Sequence, residues 1–397
     1  MVIVLLLLTL SFGVALSRPA STPIYPFRAL GSTILDATGD EVQFRCVNWP
    51  GHMEANTPEG LQFQPLAEIV KTLAQHPTYN CVRLTYAVEL FEKEHMTLRQ
   101  SFTPGNNNAT TDLSPLLRNI STHNPDLVEL SLVQVFEAVV DELDKQGLFV
   151  LMSNHVSKAT WCCSDDDGNG WFNYGYFYAN SWLSSLTSMA KVMSSHPNVV
   201  ALDLRNELRS KIGNDEQITE WMKYMPMGVD AVLAGDATKL VFVSGLSYDT
   251  DLSFLNRTDL VSDAWSSQLE EKASNLVFEG HIYTWSPYGD YDGDCSNLHF
   301  GEKIGWAWAN KRPMVISETG INVDSYSEDD QAWFEGCITS LIVDSRSGYG
   351  QWLLGGSYYI RDGALNAHDS FGLLTSDWRE FKSEDVVKAN EMMDWTK

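Results

Sequence analysis

Val199-Val-Ala-Leu-Asp-Leu-Arg-Asn-Glu207 is an apolar run that closes on an amide and a carboxylate. From Val199 to Leu204 it lacks the strict alternation of a half-solvated strand, so it reads as a strand buried on both faces. Similar runs occupy residues 42–47, 81–85, 149–153, 240–244, 276–279 and 314–317, with a weaker one at 349–353. Helical patterns separate them, as at residues 127–146, 182–195, 218–233, 299–310 and 329–343. Eight short strands alternating with helices predict an α/β fold, a parallel (β/α)8 TIM barrel. An open doubly wound sheet fits less well, because no glycine-rich phosphate loop follows the first strand. Ahead of that strand, residues 34–44 read as a hairpin turning at Gly39-Asp40, placed to plug the bottom of the barrel.

The ends of these strands carry chemistry instead of ordinary turn residues. Arg83 lies within the second strand and His155 just after the third. Asn206 and Glu207 follow the fourth, His281 and Tyr283 the sixth, and Glu318 the seventh, while Trp352 lies in the eighth. In a barrel all eight converge on the C-terminal face, where active sites form. Long connections after the second, third and sixth strands would wall a cleft there. Singly, each residue has a bland reading: a solvated glutamate, a structural histidine, a core tryptophan. The ordered set does not.

At these positions the chain resembles glycoside hydrolase family 5, the cellulase-like family of retaining glycosidases. The resemblance rests on Val82-Arg-Leu-Thr85, Ser153-Asn-His155, Leu202-Asp-Leu-Arg-Asn-Glu207, Gly280-His-Ile-Tyr283, Val315-Ile-Ser-Glu-Thr-Gly320 and Gln351-Trp352. Trp161-Cys-Cys and Gly356-Ser-Tyr-Tyr359 resemble the plant-type branch. Leu208 departs from the proline that many members carry after the acid/base. The resemblance implies Glu207 as acid/base and Glu318 as nucleophile, with Asn206 on the sugar 2-hydroxyl. His155 and His281 would position substrate or carboxylates, and Trp352 would floor the subsite. Physically, a retaining enzyme needs two carboxyl groups about 5–5.5 Å apart, one protonated and one ionised. Arg83 and Tyr283 beside Glu318 would keep it charged.

Composition bounds the partners. A net charge of −25 argues against nucleic acid and anionic membranes and is compatible with a neutral ligand, while the resemblance implies a β-linked glycan of β-1,4-glucan or mannan type as the expected substrate. Thirteen Trp and fifteen Tyr suit sugar faces, although most fill the core. The uncharged, apolar stretch 1–17 reads as a signal peptide, leaving residues 18–397 as one barrel domain without an appended module, secreted to a cell-wall or apoplast setting and monomeric. Sequons then mark Asn108, Asn119 and Asn256 for glycosylation. Among the six cysteines, Cys162 or Cys163 is expected to bridge Cys295, leaving Cys46, Cys81 and Cys337 as buried thiols. The loops at 165–170 and 290–294 resemble half of a calcium loop but read better as solvated turns, and no cofactor or metal is expected. Competing functions are transglycosylation, a non-catalytic carbohydrate-binding barrel, and a zinc hydrolase using His155, His281 and the acidic loops. The last lacks any ligand spacing that zinc sites favour.

Overall fold

The computed structural model describes residues 23–288, 291 and 293–397. Eight parallel strands close into a barrel: β1 (Arg45–Trp49), β2 (Cys81–Ala87), β3 (Phe149–Val156), β4 (Val199–Asp203), β5 (Leu240–Val243), β6 (Leu276–Ile282), β7 (Met314–Thr319) and β8 (Gly348–Gln351). Every residue of β2 through β8 is buried, which is why their sequences run apolar without alternation.

The surrounding helices bury one stripe each. Leu132–Lys145 starts where Ser131 and Gln134 cap each other reciprocally, and it buries Leu132, Val135, Phe136, Val139, Val140 and Leu143. This cap explains why the helix begins after residue 127, the expected start; residues 125–127 form a separate 3-10 turn. The pattern at 299–310 resolves into two short helices, Phe300–Lys303 and Trp306–Ala309, broken at Gly305.

The plug is real but its turn lies earlier than expected. Arg28–Leu30 pairs with Thr33–Leu35 around Gly31. At Gly39-Asp40 the pairing shrinks to a single bridge, Leu35 with Glu41, because the Asp36 carboxylate accepts the backbone N–H groups of Thr38 and Asp40 and holds a local turn. Phe27 and Phe44 then pack edge-on against Phe149, sealing the barrel floor.

The cysteine expectation is overturned. Cys46 and Cys81 are register partners on β1 and β2, and they form a disulfide. Cys295 bridges Cys337, joining the loop after β6 to the helical segment after β7. Cys162 and Cys163 pair with each other, so no described cysteine is free. Strand register decided the first of these, and no local feature of the sequence announces it.

A second hairpin, β9 (Ser357–Arg361) with β10 (Ala364–His368), follows β8. It brings Arg361 and His368 to the rim of the cleft. No described helix is long and apolar enough to cross a membrane.

Candidate active site

The C-terminal ends of the strands open into a cavity of about 730 Å³. Seven of the eight predicted residues line it: His155, Asn206, Glu207, His281, Tyr283, Glu318 and Trp352. The eighth, Arg83, lies fully buried beneath and ties the floor together. Its Nη1 donates to Asn48 Oδ1 at 3.0 Å and to Glu318 Oε2 at 3.1 Å. Its Nη2 donates to Asp203 Oδ2 at 2.6 Å and to Asn206 Oδ1 at 2.8 Å. One guanidinium thus fixes both the amide beside Glu207 and the carboxylate of Glu318.

A carboxylate oxygen of Glu207, one of Glu318 and a ring nitrogen of His281 all lie within 4.8 Å of one another. The two carboxyls have different surroundings. Burial pushes Glu207 up to about 7, opposed by the charges of Arg209 and Arg83. Burial also raises Glu318 and the nearby Glu207 adds to the rise, while Arg83 pulls it back down, as does the Tyr283 hydroxyl that donates to its Oε1 at 2.8 Å. The expected contacts of Glu318 are therefore present, but they work against a desolvation cost that the sequence did not reveal.

His281 is neutral near pH 7, because burial depresses it to about 4. Its Nδ1 sits 3.0 Å from Glu207 Oε1 and its Nε2 3.7 Å from Asp249 Oδ2. His155 is pushed well below its usual value by burial and by His52, whose ring lies 4.1 Å away. The His155 ring also stacks on Trp352, with 5.7 Å between centroids. Two neutral imidazoles and an indole therefore line a surface suited to hydroxyls and C–H faces.

Several residues of the site escaped the sequence reading. Asn48 and Asp203 hold Arg83; each is a polar residue within a buried strand, which was the available signal. Asp249 accepts the Glu207 backbone N–H at 2.8 Å. Trp285 is 67% exposed and stacks on Tyr283 with 4.6 Å between centroids, forming an open platform beside Phe371. In the 165–170 loop, Asp165 accepts from Tyr248, Asp166 pairs with Lys211 and Asp167 pairs with Arg209. These partners brace the loop, and Gly168, Asn169 and Gly170 are buried where the sequence suggested a solvated turn. In the second acidic loop Asp290 and Asp292 lie outside the described residues.

A family model described as cellulase (glycosyl hydrolase family 5) matches residues 35–356. A glycosyl hydrolase 5 family protein of Chamaecyparis obtusa is 35% identical over 382 residues, which are 91% of this chain and 65% of that protein. The chain thus spans somewhat less than two thirds of this relative's length. An endoglucanase of Paenibacillus polymyxa is 22% identical, over 89% of this chain and 83% of that one. The solved catalytic domain of the major endoglucanase from Xanthomonas campestris pv. campestris has a TM-score of 0.70 at 19% identity, covering 93% of this chain and 100% of that domain. The endocellulase of the archaeon Pyrococcus horikoshii also gives 0.70, at 18% identity, covering 94% of this chain and 100% of that one.

Proposed function

Because the chain belongs to the cellulase family, glycosyl hydrolase family 5, we propose that it cleaves β-linked glucans or related mannans by a retaining double displacement. The observation that carries this reading is the spacing of Glu207 and Glu318, whose oxygens approach within 4.8 Å. Such closeness suits direct attack by one carboxylate on the anomeric carbon; an inverting pair stands about 6.5–9.5 Å apart to admit water.

In this reading Glu207 enters the cycle protonated, since its value near 7 leaves a large acid fraction at neutral pH. It protonates the glycosidic oxygen as Glu318 attacks. Arg83 and Tyr283 favour the ionised Glu318 and orient its two oxygens separately. Glu207, now ionised, accepts the neutral His281 N–H and later removes a proton from the incoming water. Asn206 lines the cavity with its amide oxygen held by Arg83 and its Nδ2 3.6 Å from the sulfurs of Cys162 and Cys163, and a sugar 2-hydroxyl would lie against that amide.

The decisive experiment separates the two glutamates. Glu318→Ala should lose activity on every substrate. Glu207→Ala should still form the glycosyl-enzyme from an activated aryl β-glycoside, stall there, and be rescued by azide to a β-glycosyl azide. An α-azide from Glu207→Ala would reverse the roles, and full activity in either variant would remove that residue from the mechanism.

We also read the chain as an exported glycoprotein. Asn119 and Asn256 are exposed, whereas the Asn108 amide donates inward to Glu89 and to the Ala159 carbonyl. Mass spectrometry of secreted protein should find glycan at the first two, and a mature N-terminus near Arg18. Residues 1–22 lie outside the described residues.

A further inference from the structure

Two charges beside Glu207 have no part in the mechanism above. Arg209 is buried, and its guanidinium is engaged on three sides. Nη1 donates to the Glu207 carbonyl at 2.7 Å, Nε donates to the Ser164 carbonyl at 3.0 Å, and Nη2 pairs with the Asp167 carboxylate. The Arg209 N–H also donates to the Gly170 carbonyl at 3.1 Å. That approach requires a glycine, since a Cβ at residue 170 would come within 2.6 Å of Arg209 Cγ.

Asp167 is fixed as firmly. Its Oδ2 accepts the Ser164 N–H at 3.0 Å, and its Oδ1 accepts the Asn169 N–H at 2.8 Å. The Arg209 and Asp167 side chains are 2% and 12% exposed, so water screens their fields weakly. A cation is thus anchored on the backbone of Glu207, and an anion is paired to that cation.

The other titratable groups around Glu207 are neutral or engaged elsewhere. Arg83, within β2, binds Asp203 and Glu318. Burial keeps His155 on β3 and His281 on β6 neutral. Burial holds Asp249, after β5, well above the usual carboxylate range. Tyr248 donates to Asp165, and Tyr283 donates to Glu318. Burial raises Glu207; Arg209 is the strongest charge opposing that rise, ahead of Arg83, and Asp167 works with it.

We propose that Arg209 and Asp167 are positioning residues that act through Glu207 as two opposed charges, the guanidinium favouring its ionised form and the carboxylate its protonated form. The inference rests on the acid/base reading of Glu207 above. A group that serves first as acid and then as base must hold its proton in one step and regain it in the next. Burial alone would favour keeping the proton, and an unopposed cation would favour losing it. The pair holds the balance between them.

The test is the pH dependence of kcat/KM on cellotetraose, whose leaving group needs a proton. Arg209→Gln should move the basic limb up by roughly one pH unit, and Asp167→Asn should move it down by roughly half a unit. Arg209→Lys keeps a charge without the planar fork, so its limb should stay closer to that of the unaltered protein even where kcat falls. If one variant fails to fold, the sign of the other still decides. An activated aryl β-cellobioside needs no proton to leave, so its hydrolysis reports that each variant is folded. A lowered rate with the limb unmoved, or moved the same way in Arg209→Gln and Asp167→Asn, marks a merely structural role and overturns the assignment. Glu207 can also be titrated without substrate, by NMR of its carboxyl carbon, with the signal identified through Glu207→Gln. Opposed shifts there, in a protein that cleaves neither substrate, would sink the glucan reading and leave the charge pair standing. Cleavage with an unmoved limb sinks the inference alone.

Discussion

Glu207 sits in the left-handed region, with φ of 49°, which costs a non-glycine residue about 1–2 kcal/mol. What holds it there is the Asp249 carboxyl, accepting the Glu207 N–H at 2.8 Å. Losing the partner of a buried N–H costs about 1–3 kcal/mol. The two magnitudes match, so removing the acceptor is enough to let the proposed acid/base leave its place beside His281 and Glu318. Asp249→Ala should therefore lower kcat roughly 5–150-fold on a glucan substrate, with a smaller change in KM. Asp249→Asn separates geometry from charge. Burial and the nearby Glu279 push Asp249 well above the usual carboxylate range, so a neutral amide oxygen should replace it with a loss of about fivefold or less. Steady-state kinetics on cellotetraose and on an activated aryl cellobioside give the assay, and the aryl substrate should suffer less in the formation of the intermediate. Unchanged kcat in Asp249→Ala would refute the reasoning. Equal damage from alanine and asparagine would show that a negative charge, and not an acceptor, is what matters.

Four further outcomes follow from the structure. Tyr283→Phe removes a 2.8 Å donor from Glu318, so kcat should fall about 10–150-fold, the worth of ~1.5–3 kcal/mol, and the acid limb of the pH–rate profile should move up because the lost bond favoured the ionised form. Activity on unactivated glucan should decline as pH rises through about 7, where Glu207 loses its proton. Its folded value lies above the unfolded one, so the protonated group adds stability that is complete below the unfolded value and is lost as pH rises toward 7; Glu207→Gln should accordingly raise Tm more at pH 8 than at pH 4. Gly350→Ala would place a Cβ 2.2 Å from the Ser317 carbonyl, forcing β7 and β8 apart at a cost of about 1–3 kcal/mol, visible as a lower Tm by calorimetry.

The contrast between what was legible and what was not has a physical origin in particular residues. Strands such as β3 and β4 announced themselves because burial on both faces demands apolar residues locally, whatever lies far away in the chain. The faintest of them, β8, reads Gly-Tyr-Gly-Gln: Gly348 and Gly350 are small because Phe44 and Ser317 crowd them, and that constraint hides the apolar signal. The chemical residues were visible at strand ends because the barrel itself gathers those ends, so order along the chain translates into position in space. Asp203 lies 120 residues from Arg83, and its pairing became readable only with the barrel closed. Asp249 is harder still. Ser247, Tyr248 and Asp249 are all left-handed without a glycine among them, so no local propensity foretells the loop. It is held from outside: the Tyr248 N–H donates to the Leu208 carbonyl, and the Asp249 carbonyl accepts from the His281 N–H. These bonds join the loop after β5 to the residues that follow β4 and to the end of β6. The proposed general acid is thus placed by the loop after β5, which is itself tied to the end of β6, so its identity could be read from one segment while its orientation required three.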